Sequence, residues 1–439
     1  MSSKESSRRQ FIKTSAALAS VGAGISLPVS AQIPRPPGLP PLRPDEHYDY
    51  GIRSPYVTSK RIGTNGQRGS DPRDGRPRDY GFRTPHHELF GTITPSSLHF
   101  IINHAYDPPN INPAEHKLMI HGLVENPVML SMDDLYRLPA VSKVHFIECS
   151  GNSNVTGKGF HPGWLRTQPE ATVQDTHGLA SCSEWTGVMM STILEHVGVK
   201  KEATWFIAEG AETGHHAKSI PMWKATDDAM IAYAQNGEPI RPEQGYPLRL
   251  VAPGFEGVNN VKWLRRIKFT NQPQLAKRET SNYTSERSDG TFRWFEFENG
   301  TKSVISRPSG QMKLAGPGYH DITGIAYSGR GKIVRVEVST NGGRNWQDAE
   351  IQGPVHSKAF TRFRLPWFWQ GDETVLMSRS YDDKGDRQPS VAEINEELGL
   401  KLSHEWLEAG NPGTSHFNGI QPWRVKRNGE VENALFFNV

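Results

Sequence analysis

The alternation of apolar and polar positions predicts ordered structure from residue 97, where the chain reads Ser-Leu-His-Phe-Ile-Ile-Asn-His. Strand patterns follow at 117–124 and 141–148, and again at 203–208, 246–252 and 261–269. Between the first two, Ser131 is placed to cap a short helix whose first turn carries Asp133 and Asp134. Helical patterns cover 188–197, closed by Gly198, and about 227–235, stopped by Asn236-Gly237. This mixture is α+β, with short helices between antiparallel or mixed strands. Near residue 300 the texture changes. Ile333, Val334, Val336 and Val338 mark a strand that turns at Asn341-Gly342-Gly343 toward Trp346, a hairpin signature. The same style continues at 360–365 and 373–381 and returns at 422–427, which predicts a second, all-β domain of sandwich type.

With 439 residues, the chain has room for two or three domains, each with its own core. Its formal charge is +3, and residues 1–31 carry Lys4, Arg8, Arg9 and Lys13 against Glu5 alone, so that segment holds all of it. The remainder is near neutral, which argues against binding of nucleic acid or of an anionic membrane as its main business. Residues 1–31 read as a twin-arginine signal peptide: Ser7-Arg8-Arg9-Gln10-Phe11-Ile12-Lys13, a short and interrupted apolar run, then Val29-Ser30-Ala31 as a cleavage site. The run is too short for a membrane span. Export of an already folded chain to the periplasm implies a cofactor loaded beforehand. Residues 32–95 read as a Pro/Gly-rich linker and an extended, solvated arm that includes His86 and His87. Residues 96–300 and 301–439 are expected to be the two folded domains.

The 141–148 strand delivers one of only two cysteines, Cys149, onto a Ser-Gly-Asn turn. Taken alone, this thiol is open to three readings: a small buried hydrophobe, half of a disulfide with Cys182, or a thiolate presented to a ligand. Neither cysteine sits in a C-x-x-C-H motif, so no covalent c-type haem is expected in this chain.

Four stretches, taken in order, resemble the sulfite oxidase family of molybdopterin enzymes. They are Cys149-Ser150-Gly151-Asn152, Glu184-Trp185-Thr186-Gly187, Tyr246-Pro247-Leu248-Arg249 and the run from Gly257 to Arg266. The later Ile325-Ala326-Tyr327-Ser328-Gly329 and the run from Arg335 to Gly343 with Trp346 resemble that family's immunoglobulin-like dimerisation domain. The resemblance runs from about residue 97 to the C-terminus. It implies an α+β molybdopterin-binding domain of the sulfite oxidase fold followed by an all-β immunoglobulin-like sandwich. Within the family it is strongest to the sulfane dehydrogenase subunits (SoxC type) of thiosulfate oxidation, partly through His404, Trp406 and the 418–423 region.

The resemblance implies that Cys149 is a ligand to molybdenum held by molybdopterin, and that Cys182 is structural. It assigns the first cofactor-cradling segment to Phe100, Ile101, Ile102, Asn103 and His104. Arg249 and Lys262 become cationic partners of the cofactor phosphate, with main-chain contacts from Asn260 and Val261 beside them and an acidic contact from Glu209. Tyr283 stands where the family keeps its active-site tyrosine. Two departures matter: Ile102 and Asn154 stand where sulfite oxidases place arginines around a small dianion. A buried sulfite here would be poorly compensated for its lost hydration.

That favours sulfane sulfur bound to a cysteine of a carrier protein as the substrate, with the Gly157, Gly159 and Gly163 loop shaping the entrance. Electrons are expected to pass to a separate c-type cytochrome, in a homodimer or a heterotetramer. Three rivals stay open: a sulfite dehydrogenase acting on free sulfite, a cofactor-free exported binding protein, and a reductase of oxidised sulfur compounds. His161, His215 and His216 have no assigned role.

Overall fold

In the computed structural model the structure describes residues 51, 53–63, 81–103, 108–152, 155, 167–280, 283–287, 289–411, 413–414 and 416–436. The signal segment, the proline-rich part of the linker, and the residues His104, Asn154, Gly157, Gly159, His161 and Gly163 lie outside them. Residues 59–439 form one unit. In the unit before it, the described part carries a turn in which Val57 N donates to Ser54 O at 3.0 Å.

Two five-stranded sheets build the first domain. In one, Ala140–Glu148 pairs antiparallel with Ala180–Met189, which pairs with Met230–Gln235, and that strand meets both Glu238–Pro239 and Arg249–Val251. The other runs in the order Val128–Ser131, Lys117–Gly122, Leu264–Thr270, Trp205–Gly210, Ala217–Pro221, with one parallel pairing, between Lys117–Gly122 and Leu264–Thr270. Leu118, Ile120, Val188, Phe206, Ile231 and Ile267 fill one core from both sheets, closed by Ile193 and Val197 of the Met190–Val197 helix. That helix ends at Gly198, whose left-handed φ of 62° suits a residue without Cβ. The Met132–Tyr136 helix starts as expected: Ser131 and Asp134 cap each other's backbone amides.

The second domain is a sandwich. Its four-stranded sheet, Lys302–Arg307, Gly318–Tyr327, Thr361–Trp369 and Glu350–Gln352, shares a core with a five-stranded sheet built on Ile333–Ser339 and Thr374–Asp382. Two helices, Val391–Leu398 and His404–Glu408, interrupt the all-β pattern near the C-terminus and pack with Phe417 and Leu435. Phe146 and Cys182 of the first domain join the sandwich core, so the Ala140–Glu148 sheet lies directly against it.

Three expectations are corrected. The helix foreseen at 227–235 is the strand Met230–Gln235, preceded by a shorter helix at Met222–Asp227. Met230, Ile231 and Ala232 are fully buried between strands on both sides, and a strand covered on both faces loses the alternation that would mark it. Likewise the helix foreseen from 188 begins at Met190, because Val188 and Met189 end a ten-residue strand that starts at Ala180. Gly187 lets this strand press close to its neighbour: a Cβ there would meet the Ile231 carbonyl oxygen at 2.0 Å. Finally, the arm is solvated only in part: residues 53–58 are exposed, but the stretch from Gly81 is packed into the fold. Gly81–Arg83 pairs with Ile101–Ile102, and His86 is buried with its Nε2 at 3.1 Å from the His177 oxygen.

Candidate active site

Side chains alternate along Ala140–Glu148, so Phe146 and Glu148 face the sandwich while Ile147 and Cys149 face a cleft. The turn after the strand is tied down: Cys149 N donates to Leu179 O at 2.9 Å and Asn152 N donates to Cys149 O at 2.7 Å. Behind it, Gly257 packs so close that a Cβ would lie 3.1 Å from the Cys149 Cα. Cys149 and Cys182 form no disulfide. Cys182 is fully buried in the sandwich core, where its sulfur accepts from Phe360 N at 3.4 Å and burial pushes its thiol up to about 12. It is an inert core residue, and the disulfide reading falls.

Phe100 and Ile102 line the cleft with Ile147 and Val258, giving it an apolar stretch of wall. Asn260 and Arg249 line the same cleft. Arg249 is 3% exposed; its Nη1 donates to Gln244 O at 2.8 Å and its Nη2 to Asn260 O at 3.2 Å. Its Nε has no partner, no carboxylate among the described residues pairs with it, and its guanidinium lies 4.8 Å from the centre of the Trp185 ring. Burial alone pulls its pKa down to about 9. A buried cation without an anion is costly, so this site is suited to an anionic ligand.

Lys262 also lines the cleft, but its ammonium is engaged by Ile102 O at 2.9 Å, Glu243 O at 3.1 Å and Asn103 Oδ1. All three donors are used, so Lys262 offers a ligand its field rather than a spare hydrogen bond. Burial first, then the Arg249 charge, hold it well below the ordinary lysine range. Glu212, on the facing wall, is pushed upward by its burial.

Other polar atoms here lack partners. His99 is buried and neutral, its pKa pulled to about 3 by burial, and its Nδ1 lies 3.1 Å from the Phe100 oxygen. A carbonyl only accepts, so Nδ1 carries the proton and the unpartnered Nε2 is an acceptor. Asn103, fully buried beside Lys262, has an unpartnered Nδ2 donor. The cleft and its border are therefore suited to a ligand with an anionic end and with both hydrogen-bond donors and acceptors. Among the described residues no three His, Cys, Asp or Glu side chains converge to chelate a metal ion. A metal beside Cys149 needs further ligands from a cofactor.

Tyr283 reaches the cleft from a left-handed backbone (φ 62°), with Lys218 Nζ 5.7 Å from its ring centre. Burial, and the proximity of Cys149, raise its hydroxyl above the ordinary tyrosine range, so it remains a donor. Sequence reasoning passed over His99 and Gln244 and left His216 without a role; all three line the cleft. His216 Nε2 lies 2.9 Å from Val258 O. Its neighbour His215 is exposed on the turn.

Three foreseen residues stand elsewhere. Ile101 is buried in its strand, and the Val261 side chain belongs to the hydrophobic core, which leaves its main chain alone for a ligand. Glu209 is held by Arg265 and Arg266 on the Trp205–Gly210 strand, away from the residues that line the cleft.

Two family models match. "Oxidoreductase molybdopterin binding domain" covers residues 104–277, and "Mo-co oxidoreductase dimerisation domain" covers 295–401. Among solved structures, the sulfane dehydrogenase SoxCD from Paracoccus pantotrophus is 37% identical with a TM-score of 0.79, over 93% of this chain and 99% of that one. Among curated proteins, NADH nitrate reductase of Ulva prolifera is 29% identical over 70% of this chain and 39% of its own length. Mitochondrial sulfite oxidase of Mus musculus is 27% identical over 72% and 61%. The chain thus spans less than two thirds of those two relatives.

Proposed function

Because the chain belongs to the sulfite oxidase family of molybdopterin oxidoreductases, we propose that it oxidises sulfane sulfur bound to a cysteine of a carrier protein. The cofactor is molybdopterin carrying molybdenum, which sets aside the cofactor-free binding protein. When bound, that group supplies oxygen-atom transfer from water to a sulfur lone pair and releases the electrons one at a time.

The residues of the cleft fit it. Arg249 Nε would donate to its anionic tail, Lys262 would add its charge, and the Asn260 main chain would stand beside them. His99 Nε2 and Asn103 Nδ2 would be free to accept from and donate to the pterin. The Cys149 thiolate would be the protein ligand of the metal. Tyr283 keeps its proton and orients the substrate sulfur, while Ile102, Ile147 and Val258 exclude water from it.

The observation that carries the substrate is Ile102. An aliphatic side chain borders the cleft where an arginine would otherwise compensate a small dianion, and the nearby Lys262 has no donor to spare. The likeness to SoxCD, described as a sulfane dehydrogenase, supports the same choice. Electrons go to a separate c-type cytochrome, in a homodimer or heterotetramer, in the periplasm after export by the twin-arginine route. Among the described residues no helix is long and apolar enough to cross a membrane.

The test is isotopic. Carrier persulfide turned over in ¹⁸O-water with oxidised cytochrome gains labelled oxygen on its outer sulfur. Unlabelled carrier with an unreduced cytochrome would refute the proposal.

A further inference from the structure

Glu148 sits one residue before Cys149 and points the other way, into the interface with the sandwich. Its Oε1 accepts from Lys302 Nζ at 2.9 Å and from Asn152 Nδ2 at 2.8 Å, and both members of the ion pair are 1% exposed. Lys302 is the first residue of the sandwich strand Lys302–Arg307, and it also donates to Phe417 O at 3.3 Å. Asn152 closes the circuit: its Oδ1 accepts from Leu179 N at 2.7 Å, while Leu179 O accepts from Cys149 N. The turn that carries the thiol is thus braced on one side by its own sheet and on the other by a cation from the second domain.

The 2.9 Å separation of Lys302 Nζ and Glu148 Oε1, with Asn152 Nδ2 on the same oxygen, is the geometry of a buried, hydrogen-bonded ion pair. The rings of Phe146, Tyr327 and Phe360 cluster at the same interface, and the Tyr327 hydroxyl hydrogen-bonds to Glu148. Two charges at such a place gain no more stability than apolar residues of equal volume would. Their fixed geometry is what an apolar contact lacks.

We propose that Glu148 and Lys302 are a positioning pair, through which the sandwich domain holds Cys149 at the place from which it ligates the metal. The domain described by its dimerisation role therefore also completes the active site of its own chain. This rests on the reading of Cys149 as the metal's protein ligand, and the test separates the two.

The experiment uses the holoenzyme purified after export, and reads bound molybdenum per chain and the thiolate-to-molybdenum absorption band. Cys149→Ser tests the ligand: loss of the band supports it, and a retained band refutes that reading whatever the other variants do. Lys302→Met is expected to lower retained molybdenum or band intensity about 10- to 100-fold, as losses of outer-shell support do. Lys302→Arg, which keeps the charge, restores both. The double variant Glu148→Gln/Lys302→Met has no buried charge left unpaired, so it folds with a melting temperature near the parent's even if Lys302→Met does not. It is expected to stay depleted in metal and band. Parental molybdenum and a parental band in the double variant would overturn the proposal and leave the pair a packing element.

Discussion

The Nζ of Lys262 donates to the main-chain oxygen of Ile102 at 2.9 Å, so the cleft's accessible cation is tied to the backbone of the residue whose side chain is aliphatic. Anions that enter here meet charge without a spare donor from Lys262. Replacing that side chain tests the arrangement directly. Ile102→Arg is expected to lower KM for free sulfite about tenfold or more, the worth of one charge-assisted hydrogen bond. Steady-state sulfite kinetics of the two proteins check it; an unchanged KM means Ile102 does not face the substrate.

The two cysteines should separate cleanly. Cys149→Ser is expected to lose bound molybdenum, read by elemental analysis of the purified protein. Cys182→Ala is expected to keep the metal and lose about 1–2 kcal/mol of stability, because it leaves a small cavity in a fully buried core position. Urea unfolding measures the second effect.

Arg249 should show opposite signs in two assays. Its guanidinium is buried without an anion, so Arg249→Met is expected to leave the cofactor-free chain as stable as the parent, or more so. The same change is expected to cost about 10- to 100-fold in cofactor retention. Melting temperatures of protein made without cofactor, set beside the molybdenum content of protein made with it, decide the matter. A large loss of stability in the cofactor-free form would show that Arg249 is structural.

Glu256 gives a pH dependence. It is 1% exposed, and burial, opposed by Ser150 and reinforced by Glu296 and Glu148, raises its carboxyl to about 8. Between the ordinary carboxylate value of 4.5 and about 8, the folded chain therefore holds a proton that the unfolded chain has released. Stability from this group falls as pH rises through that window, by about 1.4 kcal/mol per pH unit. Glu256→Gln is expected to remove the slope. Urea unfolding of both proteins at about pH 5.5 and about pH 7.5 shows it as a wild-type stability that falls relative to the variant's.

The strand that ends in Cys149, the Ser131 cap and the Asn341-Gly342 hairpin were legible because local pattern and turn chemistry dictate them. Met230–Gln235 was not, since its run of Met, Ile and Ala is buried on both faces and carries no period. The Ala180–Met189 strand was hidden for a related reason: Ser181, Cys182 and Ser183 are small residues buried by the sheet rather than by their hydrophobicity. In the site, Arg249, Lys262 and Tyr283 carry chemistry that family motifs mark. His99, Gln244 and His216 converge only through tertiary folding, and no spacing between them announces it. Glu148 was noticed merely as the residue before Cys149. Its link to Lys302 joins positions 154 apart in the chain.

The most direct test of the account compares carrier-bound sulfane with free sulfite in steady state, with the c-type cytochrome as acceptor. The account predicts that kcat/KM for the carrier persulfide exceeds that for sulfite by about 100-fold, the order of discrimination expected when a site lacks the groups that one substrate needs. A rate on free sulfite at micromolar concentration that equals or exceeds the rate on the carrier would contradict it.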